Sequence, residues 1–192
     1  MTYLNKLDLS GAASLNANNN IYKSIDFELE LSGASSLNNL NLQAQSLDLD
    51  MSGASKCKMT CNIGNLEGEI SGATQVLFSG DVASMDLDIS GAGDFKYSGE
   101  SKNIDLESSG AASIILNGKT DGLKIEGSGA CSISAKELIA KNVKVEMSGA
   151  SKAIVYCTES LETECSPASS ITYHGNPKSV INKTKNVRQG NK

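Results

Sequence analysis

The tripeptide Ser-Gly-Ala returns along almost the whole chain at a nearly fixed interval, and successive copies begin 18 to 22 residues apart. A degenerate ninth copy reads Ser166-Pro167-Ala168. The eight intact copies begin at Ser10, Ser32, Ser52, Ser71, Ser90, Ser109, Ser128 and Ser148. A period near 19 residues is typical of a solenoid, in which each repeat buries its apolar face only against its neighbours.

The residues before each serine alternate between apolar and charged side chains, as in Met85-Asp86-Leu87-Asp88-Ile89. A period of two predicts a strand with one buried face and excludes an amphipathic helix. Five residues after the serine stands a second apolar column, which predicts a second strand. Its members are Leu15, Leu37, Cys57, Val76, Phe95, Ile114, Ile133, Ala153 and Ile171.

Equivalent strands of successive repeats run in the same direction, so the sequence predicts parallel, in-register ladders. The predicted fold is all-β, a right-handed parallel β-helix of about nine rungs, about 43 Å long at ~4.8 Å per rung. Residues 1–176 form this single solenoid domain. The insertion 17–20 is a polar loop, and the helix-like segment 135–141 stays within the coil as strand and return loop.

The tripeptide is interpreted as a tight corner between the two strands. Glycine supplies a positive φ or lets the backbones of adjacent rungs approach closely. The alanine is expected to be small because the corner is crowded, and the serine hydroxyls to hydrogen-bond along the ladder. A row of nucleophilic serines is rejected because no general base lies near them in the repeat.

The net charge of −5 is unevenly distributed. The tail, residues 177–192, carries five Lys or Arg residues and no acid, whereas residues 1–176 carry 12 basic and 22 acidic residues. An acidic body argues against nucleic acid as a partner, since phosphates need a basic surface. For the basic tail two interpretations stay open, a cap on the last rung and a frayed terminus.

Two outward columns of charge lie four and two residues before the serine. The nearer column is acidic in all nine repeats: Asp8, Glu30, Asp50, Glu69, Asp88, Glu107, Glu126, Glu146 and Glu164. The farther column is Lys6, Glu28, Asp48, Glu67, Asp86, Asp105, Lys124, Lys144 and Glu162. We interpret both columns as a solvated face. The alternative is Ca²⁺ binding where both columns are acidic, from Glu28 to Asp88, although Ca²⁺ usually takes its ligands from loops.

Few groups are available for catalysis or metal binding, and we expect no catalytic, cofactor-binding or metal site. His174 is the single histidine and Arg188 the single arginine. Zinc needs four converging ligands, and Cys57 and Cys61 are too far apart along one strand for a disulfide. The sequence therefore predicts five free thiols and no enzyme. The remaining enzymatic alternative is a β-helix that uses paired carboxylates on a polysaccharide.

No segment approaches the ~20 apolar residues that a membrane-spanning helix needs. The first six residues also lack the apolar region of a secretory signal. Two localisations follow from the sequence: a cytoplasmic protein, or an exported one whose signal has been removed.

With Ser-Gly-Ala corners every 19 to 20 residues, flanked by strands such as Leu47-Asp48-Leu49-Asp50, the chain resembles the head GIN domain family of autotransporter adhesins. The resemblance covers roughly residues 4–177, and Tyr173-His174-Gly175-Asn176-Pro177 resembles the family's closing Tyr-x-Gly-x-Pro signature. It implies a bacterial, extracytoplasmic or cell-surface location and supplies no catalytic residues. The ninth corner departs from the family pattern with Pro167, and the family's export signal and upstream β-rich segment are missing.

Two functional hypotheses follow. The first is a non-enzymatic adhesin, a surface binding module that presents an extended face to a glycan or a surface protein. The second is a structural protein that self-assembles end to end through the open strands at its ends.

Overall fold

The computed structural model describes residues 4–190, and this part of the chain is all-β with thirteen strands and no helix. The strands are β1 (Lys6–Leu9), β2 (Ser14–Asn16), β3 (Ile21–Leu31), β4 (Ser36–Met51), β5 (Lys56–Ile70), β6 (Gln75–Gly91), β7 (Asp94–Gly110), β8 (Ser113–Gly127), β9 (Ser132–Met147), β10 (Lys152–Cys165), β11 (Ser170–His174), β12 (Ser179–Asn182) and β13 (Val187–Gln189). Residues 4–190 therefore contain no helix that could span a membrane.

Every strand pairing is parallel, and the order of the strands follows the chain from β1 and β3 through β4–β11 to β13. Pairing partners lie one repeat apart, as in Leu47 with Leu66 and Leu66 with Met85. The chain therefore coils into a β-solenoid of about ten turns, which confirms the predicted architecture. Segment 135–141 lies within β9, where the register shifts absorb the extra residues of that repeat.

The interior is one continuous apolar cluster built from the inward columns. In the column five residues after the serine, the members from Leu37 to Ile171 are at most 3% exposed. Leu15 differs from the prediction, because it is 37% exposed. It stands in the first described turn, where no earlier rung covers it, so the pattern identified its direction correctly but overestimated its burial.

Two small residues interrupt the inward column directly before the serine. This column is otherwise Leu, Met, Ile or Cys, but it contains Ser108 and Gly127 in consecutive turns. A Cβ atom on Gly127 would lie 2.7 Å from Sδ of Met147, one turn later. The Met147 side chain thus occupies the space that Gly127 leaves, and a larger residue at one rung compensates for a smaller one at the next.

The corner glycines form a stack in which each one needs both a positive φ and the absence of a side chain. Gly53 has a φ of 73°, and a Cβ atom there would lie 2.5 Å from the carbonyl oxygen of Gly33. That carbonyl accepts the N–H of Ala54 at 2.7 Å, so the hydrogen-bond ladder runs without interruption through the corner. The same bond recurs at 2.6–2.8 Å from Ala34 to Ala150.

One expectation about the corner is wrong, and a second is confirmed at some of the turns. The alanines, such as Ala54, are exposed, and the crowded position is instead the residue after them, which is small and almost fully buried, as at Ser55 and Thr74. The expected hydrogen bonds along the ladder form at some of the corner serines. Where they bond, the hydroxyl donates to a carbonyl of the preceding turn, as from Ser71 to Met51 at 3.4 Å.

The ninth corner retains its connection to the previous turn by other means. Pro167 replaces the glycine, and the Ser166 hydroxyl donates to the Gly149 carbonyl at 3.3 Å. The Asn186 amide then donates to the Pro167 carbonyl at 2.7 Å. The described part of the basic tail forms β12 and β13, which pair with β10 and β11.

We expect Gly53→Ala to lower the free energy of unfolding by more than about 2 kcal/mol, because it combines left-handed strain with a backbone clash. Gly11 is the matched control: its φ is 67°, but a Cβ atom there meets nothing within 4 Å. Gly11→Ala is expected to cost only the strain, about 1–2 kcal/mol. Urea unfolding of both variants measures the difference, and equal losses would contradict the close-approach argument.

The buried column after the alanines gives a second prediction. The hydroxyl of Ser55 is buried without a hydrogen-bond partner in the structure, whereas that of Ser151 in the same column donates to the Ser148 carbonyl at 2.6 Å. Ser55→Ala should therefore leave stability unchanged or raise it by up to about 1–3 kcal/mol, and Ser151→Ala should lower it by about 1 kcal/mol. Urea midpoints of the two variants test the opposite signs.

Candidate functional site

Three outward columns run along the face that precedes the corner, and we call this surface the acidic face. Strand pairing keeps the nearer charged column in register from Asp8 to Glu164 and the farther one from Lys6 to Glu162. Both columns lie where the repeat predicts them. Because ladder register is fixed at every rung, charges of the same sign are held side by side over most of the rod.

Lysines bridge the two columns near the ends of the face. The Lys6 ammonium lies 2.9 Å from a Glu28 oxygen and 2.8 Å from a Glu30 oxygen. Hydrogen bonds to Glu30 and Glu28 raise the pKa of Lys6, and the bond from Lys6 lowers the pKa of Glu30. One ammonium therefore offsets the repulsion within a pair of carboxylates.

The same arrangement recurs in the C-terminal half. The Lys124 ammonium lies 3.0 Å from both Asp105 and Glu126, and these two carboxylates raise its pKa. At the last turn, Lys183 from the basic tail lies 2.8 Å from Glu162 and 3.6 Å from Glu164. The tail thus supplies a cation to the acidic face.

The centre of the acidic face has no such compensation. Within residues 4–190, six consecutive carboxylates form no ion pair: Asp48, Asp50, Glu67, Glu69, Asp86 and Asp88. Two such charges ~4.8 Å apart repel by about 0.9 kcal/mol even at the dielectric constant of water. All six side chains are exposed, so water and counterions screen this repulsion.

The third outward column, six residues before the serine, is polar and mostly uncharged, and the sequence reasoning missed it. Its members are Asp26, Ser46, Asn65, Ser84, Asn103, Gly122, Asn142, Ser160 and Ser179. Aligning the repeats at this position would have revealed it, because amide and hydroxyl side chains dominate the column. Gly122 leaves room for the Asn103 amide, whose oxygen lies 2.8 Å from where a Cβ atom would be.

A groove lies between this polar column and the farther charged column, with a volume of about 670 Å³. Hydroxyl and amide groups line one side of it, and carboxylates followed by ammonium groups line the other. Its polar lining includes Ser84, Asp86, Asn103, Asp105, Lys124, Asn142, Lys144, Ser160 and Glu162. The groove can therefore both donate and accept hydrogen bonds at successive rungs.

The thiols are not placed for chemistry. All five cysteines are free, as predicted, and all five are buried. Burial raises the pKa of Cys61 to about 12 and also raises that of Cys57, Cys131 and Cys157. In these four residues the thiol form therefore predominates at neutral pH, which opposes both metal binding and nucleophilic attack.

Other candidate groups lie apart. His174 is in β11 beside Gly190, and the Arg188 guanidinium donates to the Thr172 hydroxyl at 3.3 Å, so both belong to the last turns. Among residues 4–190 no cluster of three or more His, Cys, Asp or Glu side chains has an arrangement that could hold a metal ion. The acidic face is the strongest candidate for function.

The lysine bridges predict a defined pH dependence. Lys144 lies 2.7 Å from Glu146, lowers the pKa of that carboxyl and has its own pKa raised. Because folding lowers the pKa of Glu146, its ionised carboxylate stabilises the fold at pH values above the unfolded pKa near 4.5. This stabilisation is lost as the pH falls through the folded-state pKa. Because folding raises the pKa of Lys144, its protonated ammonium stabilises the fold at pH values below the unfolded pKa of 10.5. This stabilisation is lost as the pH rises through the folded-state pKa.

We therefore expect Lys144→Gln to lower the urea midpoint at pH 7 and to approach the parent as the pH falls below 4.5 and Glu146 becomes protonated in the folded state. Lys58→Gln is the control, because Lys58 is exposed and forms no ion pair among the described residues. An equal loss in both variants at pH 7 would contradict the bridge.

Comparison with known proteins places the chain in a family. The family model described as "Putative auto-transporter adhesin, head GIN domain" matches residues 1–80 and 75–177. A comparison with curated proteins and one with solved structures both give no match. The two matched segments cover most of the chain and the whole Ser-Gly-Ala repeat. With its repeated corners and parallel solenoid, the chain belongs to the auto-transporter adhesin, head GIN domain family.

Proposed function

We propose that this protein is a non-enzymatic adhesin, a binding module of the bacterial cell surface that presents its acidic face to an extended ligand. The family description supports an adhesin and a cell-surface or extracytoplasmic location. The observation that carries the choice of face is the groove of about 670 Å³ in which polar side chains repeat at every turn. A repetitive surface suits a ligand that is itself repetitive.

A glycan chain fits this chemistry best. Sugar hydroxyls both donate and accept hydrogen bonds, and the groove offers carboxylate acceptors at Asp86 and Asp105 beside amides at Asn103 and Asn142. The lysines at Lys124 and Lys144 add donors in the next turns. An extended segment of a surface protein would use the same donors and acceptors through its backbone.

The alternative, a scaffold that polymerises end to end, needs a docking surface at both ends. At the C-terminal end of the described chain one inward column finishes in Asn182 and another beside Thr184, whereas the column of Leu161 finishes in Val180. The side-chain amide oxygen of Asn182 accepts a hydrogen bond from the Thr163 hydroxyl at 2.7 Å, and the Thr184 hydroxyl accepts one from the Cys165 N–H at 3.0 Å. These bonds satisfy the Thr163 hydroxyl and the Cys165 N–H within the chain, so neither group is left for a second copy.

The test is binding of the fluorescently labelled protein to an array of glycans and extracellular-matrix proteins, with and without Ca²⁺. We expect a saturable hit that Asp86→Ala/Asn103→Ala weakens by about tenfold or more, since it removes two groove groups. Asn62→Ala/Asp94→Ala is the matched control, because it removes the same two residue types from outside the acidic face.

An array without hits, or equal binding by both double variants, would contradict the proposal. Loss of binding on removing Ca²⁺ would instead assign the central carboxylates, from Asp48 to Asp88, to a cation-bridged contact. Filaments seen by electron microscopy, together with an empty array, would support the scaffold.

A further inference from the structure

A second outward surface lies on the strand that follows each corner, and it carries cations instead of carboxylates. Its two columns stand four and six residues after the serine of each repeat. These columns contain a single acid, Asp94, and four lysines: Lys56, Lys58, Lys96 and Lys152. The surface before the corner is therefore acidic and the surface after it is basic, although the chain as a whole has a net charge of −5.

The column six residues after the serine alternates lysine and aliphatic side chains over four successive turns. Lys58 pairs with Leu77, and Lys96 pairs with Leu77 on one side and Ile115 on the other. We call these four residues, together with Lys56 in the neighbouring column, the basic stripe. Leu77 is 44% exposed and lines a groove of about 360 Å³ together with the three lysines. Exposed apolar area framed by cations suits a partner that is both anionic and apolar.

The lysines of the basic stripe are not used within the fold. Among residues 4–190, none of Lys56, Lys58 and Lys96 forms an ion pair. On the acidic face, by contrast, Lys124 and Lys144 each pair with a carboxylate within 3.0 Å. The three ammonium groups of the stripe are exposed, so they are available to an anion outside the chain.

We propose that the basic stripe lies against an anionic lipid surface. Such a surface offers negative headgroups to the lysines and, just beneath them, an apolar layer to Leu77 and Ile115. Because the ladder holds these side chains in register on one face, cations and aliphatic groups reach a flat surface together. The same lipids repel the acidic face, which therefore stays available to a ligand of its own. The inference does not depend on what the acidic face binds.

A second copy of this chain is an anionic partner too, but it fits the basic stripe less well. Its acidic face repeats at the same ladder spacing, so carboxylates could meet the lysines. Every position in the two charged columns of that face is charged, however, and contact would set Leu77 and Ile115 against carboxylates. Burying a charge against an aliphatic side chain is costly, so the aliphatic residues of the stripe favour the lipid surface.

The experiment is co-sedimentation of the full chain with phosphatidylcholine vesicles that contain or lack phosphatidylglycerol. We expect binding to the anionic vesicles only, and we expect added salt to weaken it by screening. Lys58→Gln/Lys96→Gln should lower the partition coefficient by about tenfold or more. Lys102→Gln/Lys185→Gln is the matched control, because it removes the same charge from two exposed lysines outside the stripe. Urea unfolding checks that both double variants keep the parent stability.

A second pair of variants tests the apolar part of the contact. Leu77→Ser should lower the partition coefficient by about threefold or more, since it removes apolar area from the contact. Ile25→Ser is its control, because Ile25 is 65% exposed and lies outside the stripe. No binding to anionic vesicles, equal binding to neutral ones, or equal weakening by a stripe variant and its control would overturn the proposal. Self-association that Lys58→Gln/Lys96→Gln abolishes, without vesicle binding, would assign the stripe to a second copy instead.

Discussion

The hydrogen bond from each corner alanine N–H to the glycine carbonyl of the preceding turn is the contact on which the rest of the structure depends. Ala73 donates to Gly53 at 2.7 Å and Ala92 to Gly72 at 2.8 Å, and neither bond can form unless the glycine has a positive φ and no side chain. Because the hydrogen bonds between neighbouring turns continue through the corner, every turn follows the path of the turn before it. A side chain at one corner would separate two turns and would disturb the pairing of both flanking strands.

A fixed register at the corner has a direct electrostatic consequence. It lines up equivalent residues of all turns at the spacing of a β-ladder, so a charge conserved within the repeat becomes a column of like charge. The chain offsets this repulsion with lysines at the two ends of the acidic face, at Lys6, Lys124 and Lys183, each within 3.0 Å of a carboxylate. The centre keeps uncompensated carboxylates, which remain exposed to water.

The repeat alone predicted the parallel solenoid, the two strands of each turn and both charged columns, because these depend only on period and alternation. It failed where a property depends on neighbouring turns. Leu15 has the inward position but lacks a covering rung, and the exposed Ala54 shows that the residue after the alanine is the crowded one. The strands of the tail were also not predicted, since residues 179–182 and 187–189 carry no copy of the tripeptide and are held by pairing with β10 and β11.

The fixed register also decides which surface of the rod suits an extended ligand. At the C-terminal end of the described chain Asn182 and Thr184 accept hydrogen bonds, while Val180 in a neighbouring inward column is 40% exposed. At the other end of the described chain Leu7 and Leu9 are partly buried. Both ends therefore mix polar and apolar groups without a repeated pattern. Only the flank of the rod repeats polar side chains at every turn, and this repetition is why the acidic face, rather than either end, suits a repetitive ligand.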